Sequence, residues 1–202
     1  MSCQTYEEFA VEAHRSVMMP ENEVAFRLAQ LLLLLDAVAG QDAKGASLER
    51  IGYYDFLSAN PFLVVDSDGR EGNVLRLAGF DPQVLSYASS SQRFTSRRER
   101  IQHDLGLLVA YGCCEVHNRN GAFAYSINNR GRELGARFTA TYAASFTTAA
   151  SIVVRRLRKL SDKALREQTA RWLRPDGEGG PGAALLSVLG PGPQAPDMPW
   201  EG

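Results

Sequence analysis

The chain has 202 residues, 45% of them apolar, and a net charge of −1 at neutral pH. That is enough for one packed core with appendages, and too little continuous apolar sequence for a membrane span: the longest run, residues 31–35, falls far short of the about 20 residues required. Three cysteines, two of them adjacent, argue against a disulfide scaffold. The acidic start (Glu7, Glu8, Glu12) lacks the apolar stretch of a secretory leader, so the expected location is the cytoplasm. The low net charge hides a polarity. Residues 1–92 hold 6 basic and 13 acidic side chains, whereas residues 93–174 hold 16 and 6. A basic C-terminal half suits nucleic acid, an acidic protein surface, or the chain's own acidic half.

In chain order, Thr5 and Glu8 form a capping box, and Phe9, Ala13 and Val17 follow at helical spacing before Pro20. Residues 24–39 predict a strongly apolar helix ending at Gly40. Phe26, Leu28, Leu31, Leu32, Leu34, Leu35 and Val38 cover more than one of its faces, which makes it the central buried helix. Residues 47–59 predict another helix, stopped by Pro61. Residues 61–95 lose the pattern and read as a long connection, with Leu75, Leu77 and Phe80 as anchors to the core.

Residues 96–128 then read as a helix followed at once by a two-stranded hairpin. Ser96 and Glu99 form a capping box, Ile101, Leu105, Leu108 and Val109 make an apolar face, and Gly112 is the stop. Asn120-Gly121 is the strongest short hairpin signal, because a type I′ turn needs positive φ at both positions. With two helices upstream, this succession predicts a mainly helical α+β fold: a winged helix with a two-stranded wing, an extra N-terminal helix and a C-terminal helical extension. In the extension, Phe138, Tyr142, Phe146, Ala149, Val153, Leu157 and Leu160 recur every three or four residues, and Phe138, Tyr142, Phe146 and Val153 are the seam expected to face the core, a partner or a second copy in a homodimer. Ser161-Asp162 recaps the helix, which runs on to Arg174. The tail after it holds 6 of the 9 prolines and is expected to be disordered, with a short apolar island at residues 183–189. The expected division is therefore 1–23 N-terminal helical segment, 24–138 winged helix, 139–174 C-terminal helices and 175–202 tail.

Chemistry is sparse. Cys113, Cys114 and His117 invite a metal, but strand neighbours point to opposite faces and no second ligand pair exists. His14 and His103 have no nucleophile beside them, and no phosphate loop, HExxH or GxSxG is present. The expectation is a protein without catalytic residues, metal or cofactor. Arg97, Arg98, Arg100, Gln102 and Arg119 are the candidate contact residues, crowding the third helix and the wing, where such a fold meets duplex DNA. Arginines in a helix first turn oppose the macrodipole by about 0.3–1 kcal/mol each, which hints at an external anion: phosphate or carboxylate. Glu99, Asp104 and Glu115 nearby count against DNA.

Phe26-Arg27-Leu28 to Asp36, Leu48-Glu49-Arg50 to Asn60, Arg97-Arg98-Glu99 to Val116, and Thr141-Tyr142-Ala143 together resemble the middle components of the bacterial ABC-three-component conflict systems. The resemblance implies a small winged-helix adaptor between a large ABC-type (SMC-like) ATPase and an effector that attacks invading nucleic acid, with no catalytic residues of its own. The second reading of the residues is a winged-helix transcriptional regulator bound to duplex DNA.

Overall fold

A computed structural model of the chain describes residues 20–82, 90–119 and 121–172. The expected N-terminal helix, the tail from 175 on and the Ser96 cap lie outside the described residues and side chains. The described elements are seven α-helices and one three-stranded antiparallel sheet, a mainly helical α+β fold.

α1 (Val24–Ala39) is the central helix. Leu31, Leu32, Leu34, Leu35 and Val38 are all buried, so the helix turns most of its circumference into the core. After Gly45 comes β1 (Ala46–Ser47), and Ser47 then caps α2 (Leu48–Ala59), its hydroxyl accepting from Arg50 N at 3.3 Å. α2 buries Ile51, Tyr53, Tyr54, Phe56 and Leu57 and stops at Asn60, before Pro61.

Residues 61–95 depart from the expected featureless connection. A 3₁₀ turn (Pro61–Leu63) leads to α3 (Arg70–Leu77), and α4 (Ser90–Ala110) begins six residues before the expected Ser96 cap. Of the three expected anchors, Leu75 is buried with Val65, Ala149 and Ile152 in a small second core, and Phe80 packs against it. Leu77 is 90% exposed and anchors nothing.

The hairpin is β2 (Cys114–Arg119) paired with β3 (Ala122–Ile127). Its sheet has one strand more than the expected two: β1 pairs with β3, giving the order β1-β3-β2. Two glycines permit this assembly. Gly45 has φ +74 and abuts the Tyr125 backbone, leaving no room for a Cβ, and Gly131 sits equally close to the Cys113 carbonyl. Asn128 holds the root of the hairpin, accepting from Gly131 N and donating to the Gly112 carbonyl, both at 3.0 Å. The first of these bonds caps α5 (Asn129–Gly135).

α6 (Thr141–Leu157) crosses both α1 and α2, and α7 (Asp162–Trp172) follows. Phe146, Ala150, Val153 and Val154 belong to the same cluster as Leu31, Ile51, Leu105 and Ile127. The helices after residue 138 are thus part of the main core rather than an appendage.

Candidate functional site

The first polar feature lies between helices. Asp55 sits in the otherwise apolar buried stretch of α2 and is 4% exposed. A carboxylate there requires compensation. Arg97 of α4 supplies it as a two-pronged pair, Nε to Oδ2 at 2.8 Å and Nη2 to Oδ1 at 3.2 Å. Gln30 of α1 donates to Asp55 Oδ1 at 2.6 Å and in turn accepts from the Tyr142 hydroxyl at 2.9 Å. Four helices meet through these side chains. Two turns along, Asp104 of α4 is also buried and takes two bonds from Arg27, at 2.7 and 3.0 Å. That hydrogen bond raises the Arg27 pKa further above its ordinary value.

These contacts relocate the expected contact residues. Arg97 lies seven positions inside α4, not in its first turn, and its anion is the chain's own Asp55. Arg100 reaches Asn22 at 3.4 Å. The outward side of α4 presents Glu99, Gln102, His103, Gly106 and Leu107 around a shallow depression. Asp104, read in sequence as part of a charged surface, faces inward. Arg98 has no described side chain.

The seam divides in the same way. Phe146 and Val153 are 1% and 0% exposed, and Phe138 packs against the core. Tyr142 is half exposed, but its ring lies 5.0 Å from that of Phe26 and 6.1 Å from that of Phe146. The stripe is long because α6 spans the whole core, so the chain itself accounts for it.

The second feature is a polar cleft of about 510 Å³ between the β2–β3 hairpin, the start of α2 and the end of α6. Arg50 forms its floor. It bonds Asp162 at 3.0 Å, the Leu160 carbonyl closely, and the Arg158 carbonyl and Tyr54 hydroxyl at 3.5 and 3.4 Å. Burial raises the Tyr54 pKa, against the pull of Arg50. On the cleft wall, Arg119 pairs with Asp42 at 3.2 Å. The Asp42 pKa is lowered, first by the Lys44 backbone amide and then by Arg119, against desolvation. Arg158 is exposed at the same rim, and Phe123, 66% exposed, stands beside it. The sequence offered no sign of Arg158 or Arg50. A lone acid within the apolar run of α2 was the available sign for Asp55.

The third feature is an apolar groove of about 640 Å³ walled by α1, the end of α4 and α5.

Cys113 and Cys114 are both buried, and burial pushes the Cys114 thiol up to about 11, so it stays protonated and packs as an apolar group. Among the described residues no group of His, Cys, Asp and Glu could hold a metal ion. His117 Nε2 lies 2.8 Å from Ser126 Oγ and 3.7 Å from Glu115. Both partners meet the same ring nitrogen, which is not the relay geometry of an activated serine. No described helix is long and apolar enough to cross a membrane.

The fold and surfaces thus define a small helical protein in which Arg27 and Arg97 join its own helices through buried carboxylates. Its sequence matches the model of middle component 2 of the ABC-three-component (ABC-3C) systems over residues 22–175, and the chain belongs to that family. The match spans α1 through α7 and stops short of both ends of the chain. No curated protein and no solved structure matches it.

Proposed function

We propose that this protein is a non-enzymatic adaptor that couples an ABC-type ATPase to an effector in a cytoplasmic antiviral or anti-plasmid defence complex. Family membership supports a role beside protein partners. The observation that carries the reading is the inward use of α4: Arg97 is committed to buried Asp55, and among the described side chains the outward depression is lined by Glu99, Gln102, His103, Gly106 and Leu107. A helix that reads DNA must direct cations and amides outward to phosphates and base edges. We place the partner contact at the cleft beside the wing, where exposed Phe123 and Arg158 adjoin Arg119. An exposed aromatic flanked by arginines is the usual composition of an interface anchor.

Co-purification tests this. The tagged full chain, co-expressed with the ABC-type ATPase of its system, is expected to retain it. The double variant Phe123→Glu, Arg158→Glu is expected to lose it while its circular dichroism stays unchanged. Full retention by that variant would overturn the assignment of the cleft.

The second reading, a winged-helix DNA-binding regulator, is favoured by one observation. α4 leads directly into the hairpin, and β1, lying between α1 and α2, pairs with β3. This succession supports a winged-helix reading. Duplex binding that falls steeply with salt, and less steeply in Arg119→Ala, would favour this reading.

A further inference from the structure

The cleft beside the β2–β3 hairpin holds three arginines against two aspartates, and the three are not equally occupied. Arg50 is spent on the fold. Its Nε meets Asp162, and its two Nη atoms meet the Tyr54 hydroxyl and the Arg158 and Leu160 carbonyls. Arg119 is half engaged. Its Nη1 reaches Asp42 at 3.2 Å, and among the described residues nothing bonds its Nε or Nη2. Arg158 is exposed, and its guanidinium has no partner among the described residues. Its backbone is nevertheless held on both sides, the N–H by the Val154 carbonyl at 2.9 Å and the carbonyl by Arg50. A free guanidinium on a fixed backbone is an anion site with little ordering left to do.

The surroundings identify the anion. Val38, Ala46, Val154 and Leu160 line the same cleft, and so does the exposed ring of Phe123, so an occupant that fills it carries apolar atoms next to its charge. Asp42 and Asp162 line it too, with side chains 45% and 65% exposed. A phosphodiester strand, charged at every link, would bring further negative charge against both. A single carboxylate on an apolar chain would not, and its two oxygens match the planar arginine fork.

We infer that the cleft takes a short segment of a protein partner in which a glutamate or aspartate stands beside an apolar residue. The carboxylate pairs with Arg158, the apolar side chain packs against Phe123, and Arg119 adds a second contact for which Asp42 competes. The inference rests on the placement of the partner contact at this cleft and adds the chemistry of what enters it.

Two measurements on the full chain keep these claims apart. In the first, the chain alone is titrated with the N-acetylated, C-amidated tripeptide glutamate-leucine-glutamate, and the arginine Nε–H signals are followed by NMR. Saturable shifts are expected at Arg158 and Arg119 but not at Arg156, which is paired with Glu71. Arg158→Ala should weaken binding about ten-fold, the loss of one charge-assisted contact. Asp42→Asn, which frees Arg119, should strengthen it about two-fold. No shift at Arg158, or tighter binding of hexathymidylate than of the tripeptide, would overturn the inference. In the second, Arg158→Lys places an amine at the site, and the complex with the ATPase and effector of the system is treated with a carbodiimide. The reagent joins an amine to a carboxylate as an amide and takes up the water as a urea. Mass spectrometry is expected to find position 158 joined to a glutamate or aspartate of a partner. An intact complex in which position 158 joins only Asp42 or Asp162 would also overturn the inference. Tripeptide binding at Arg158 without any complex would instead sink the adaptor reading and leave the ligand class of the cleft standing.

Discussion

Two sets of ion pairs in this molecule use the same residue types to different ends. Between α1, α2 and α4, Arg97–Asp55 and Arg27–Asp104 are two-pronged, and the carboxylates are 6% and 2% exposed. On the outside, Arg155 and Arg156 share Glu71 at 2.8 and 2.5 Å, and Arg166 holds Glu49 at 3.0 Å, with every partner at least 30% exposed. Distance alone does not separate the two sets, but water does. A buried carboxylate that loses its cation stays desolvated and unpaired, whereas an exposed one rehydrates. The inner pairs therefore fix how the helices are arranged, and the outer ones decorate the surface.

The contrast can be broken most sharply at Arg97. Arg97→Ala is expected to cost about 3 kcal/mol in urea unfolding, because Asp55 is left with Gln30 alone. Replacing both partners, as Arg97→Met with Asp55→Leu, should recover most of that loss. If the single variant unfolds like the parent, the inner and outer pairs are not different in kind. Tyr142→Phe removes one hydrogen bond to Gln30 and should cost about 1 kcal/mol in the same measurement.

Glu71→Gln should change stability at neutral pH by less than about 1 kcal/mol, and less again in high salt. Its signature is in acid. Burial acts to raise the Glu71 pKa, but the hydrogen bonds from Arg155 and Arg156 outweigh it and leave the group below its ordinary value of 4.5. A carboxyl depressed in the folded state contributes fully above that ordinary value and loses its contribution as pH falls through the folded one. The Gln variant should therefore show a flatter loss of stability below pH 4.5 than the parent.

The elements that could be read from sequence were those with local causes. The Asn120-Gly121 turn, the Ser47 cap, Pro61 and the saturated apolar pattern of α1 each act within a few residues, and the corresponding elements fall where they predict. α3 is eight residues long, buries only Gly72 and Leu75, and follows Asp66-Ser67-Asp68-Gly69, so its periodicity is too short to register. β1 is two residues long, and what makes it a strand is Tyr125, far along the chain. The early start of α4 was missed because its first turns carry polar residues without an apolar repeat.

Arg97, among the expected contact residues, turns inward for a related reason. Three arginines in four positions, Arg97, Arg98 and Arg100, do require an anion, and the sequence put it outside the molecule. For Arg97 the anion is Asp55, 42 residues earlier, and only the packing of α2 against α4 brings the two together. Phe146 and Val153 carry the same lesson. Periodicity marks a face that must be covered without saying by what, and here α1 and α2 cover it.

The root of the hairpin has a mechanical consequence. Asn128 is bonded to the strand side at Gly112 and to the helix side at Gly131, and Gly131 lies flush against Cys113. A joint closed on both sides in this way has no swivel. Force applied at the tip, at Phe123, is carried through the root into α5, and α5 is one wall of the apolar groove. The hairpin and the groove wall are therefore coupled through one closed joint, at Gly131.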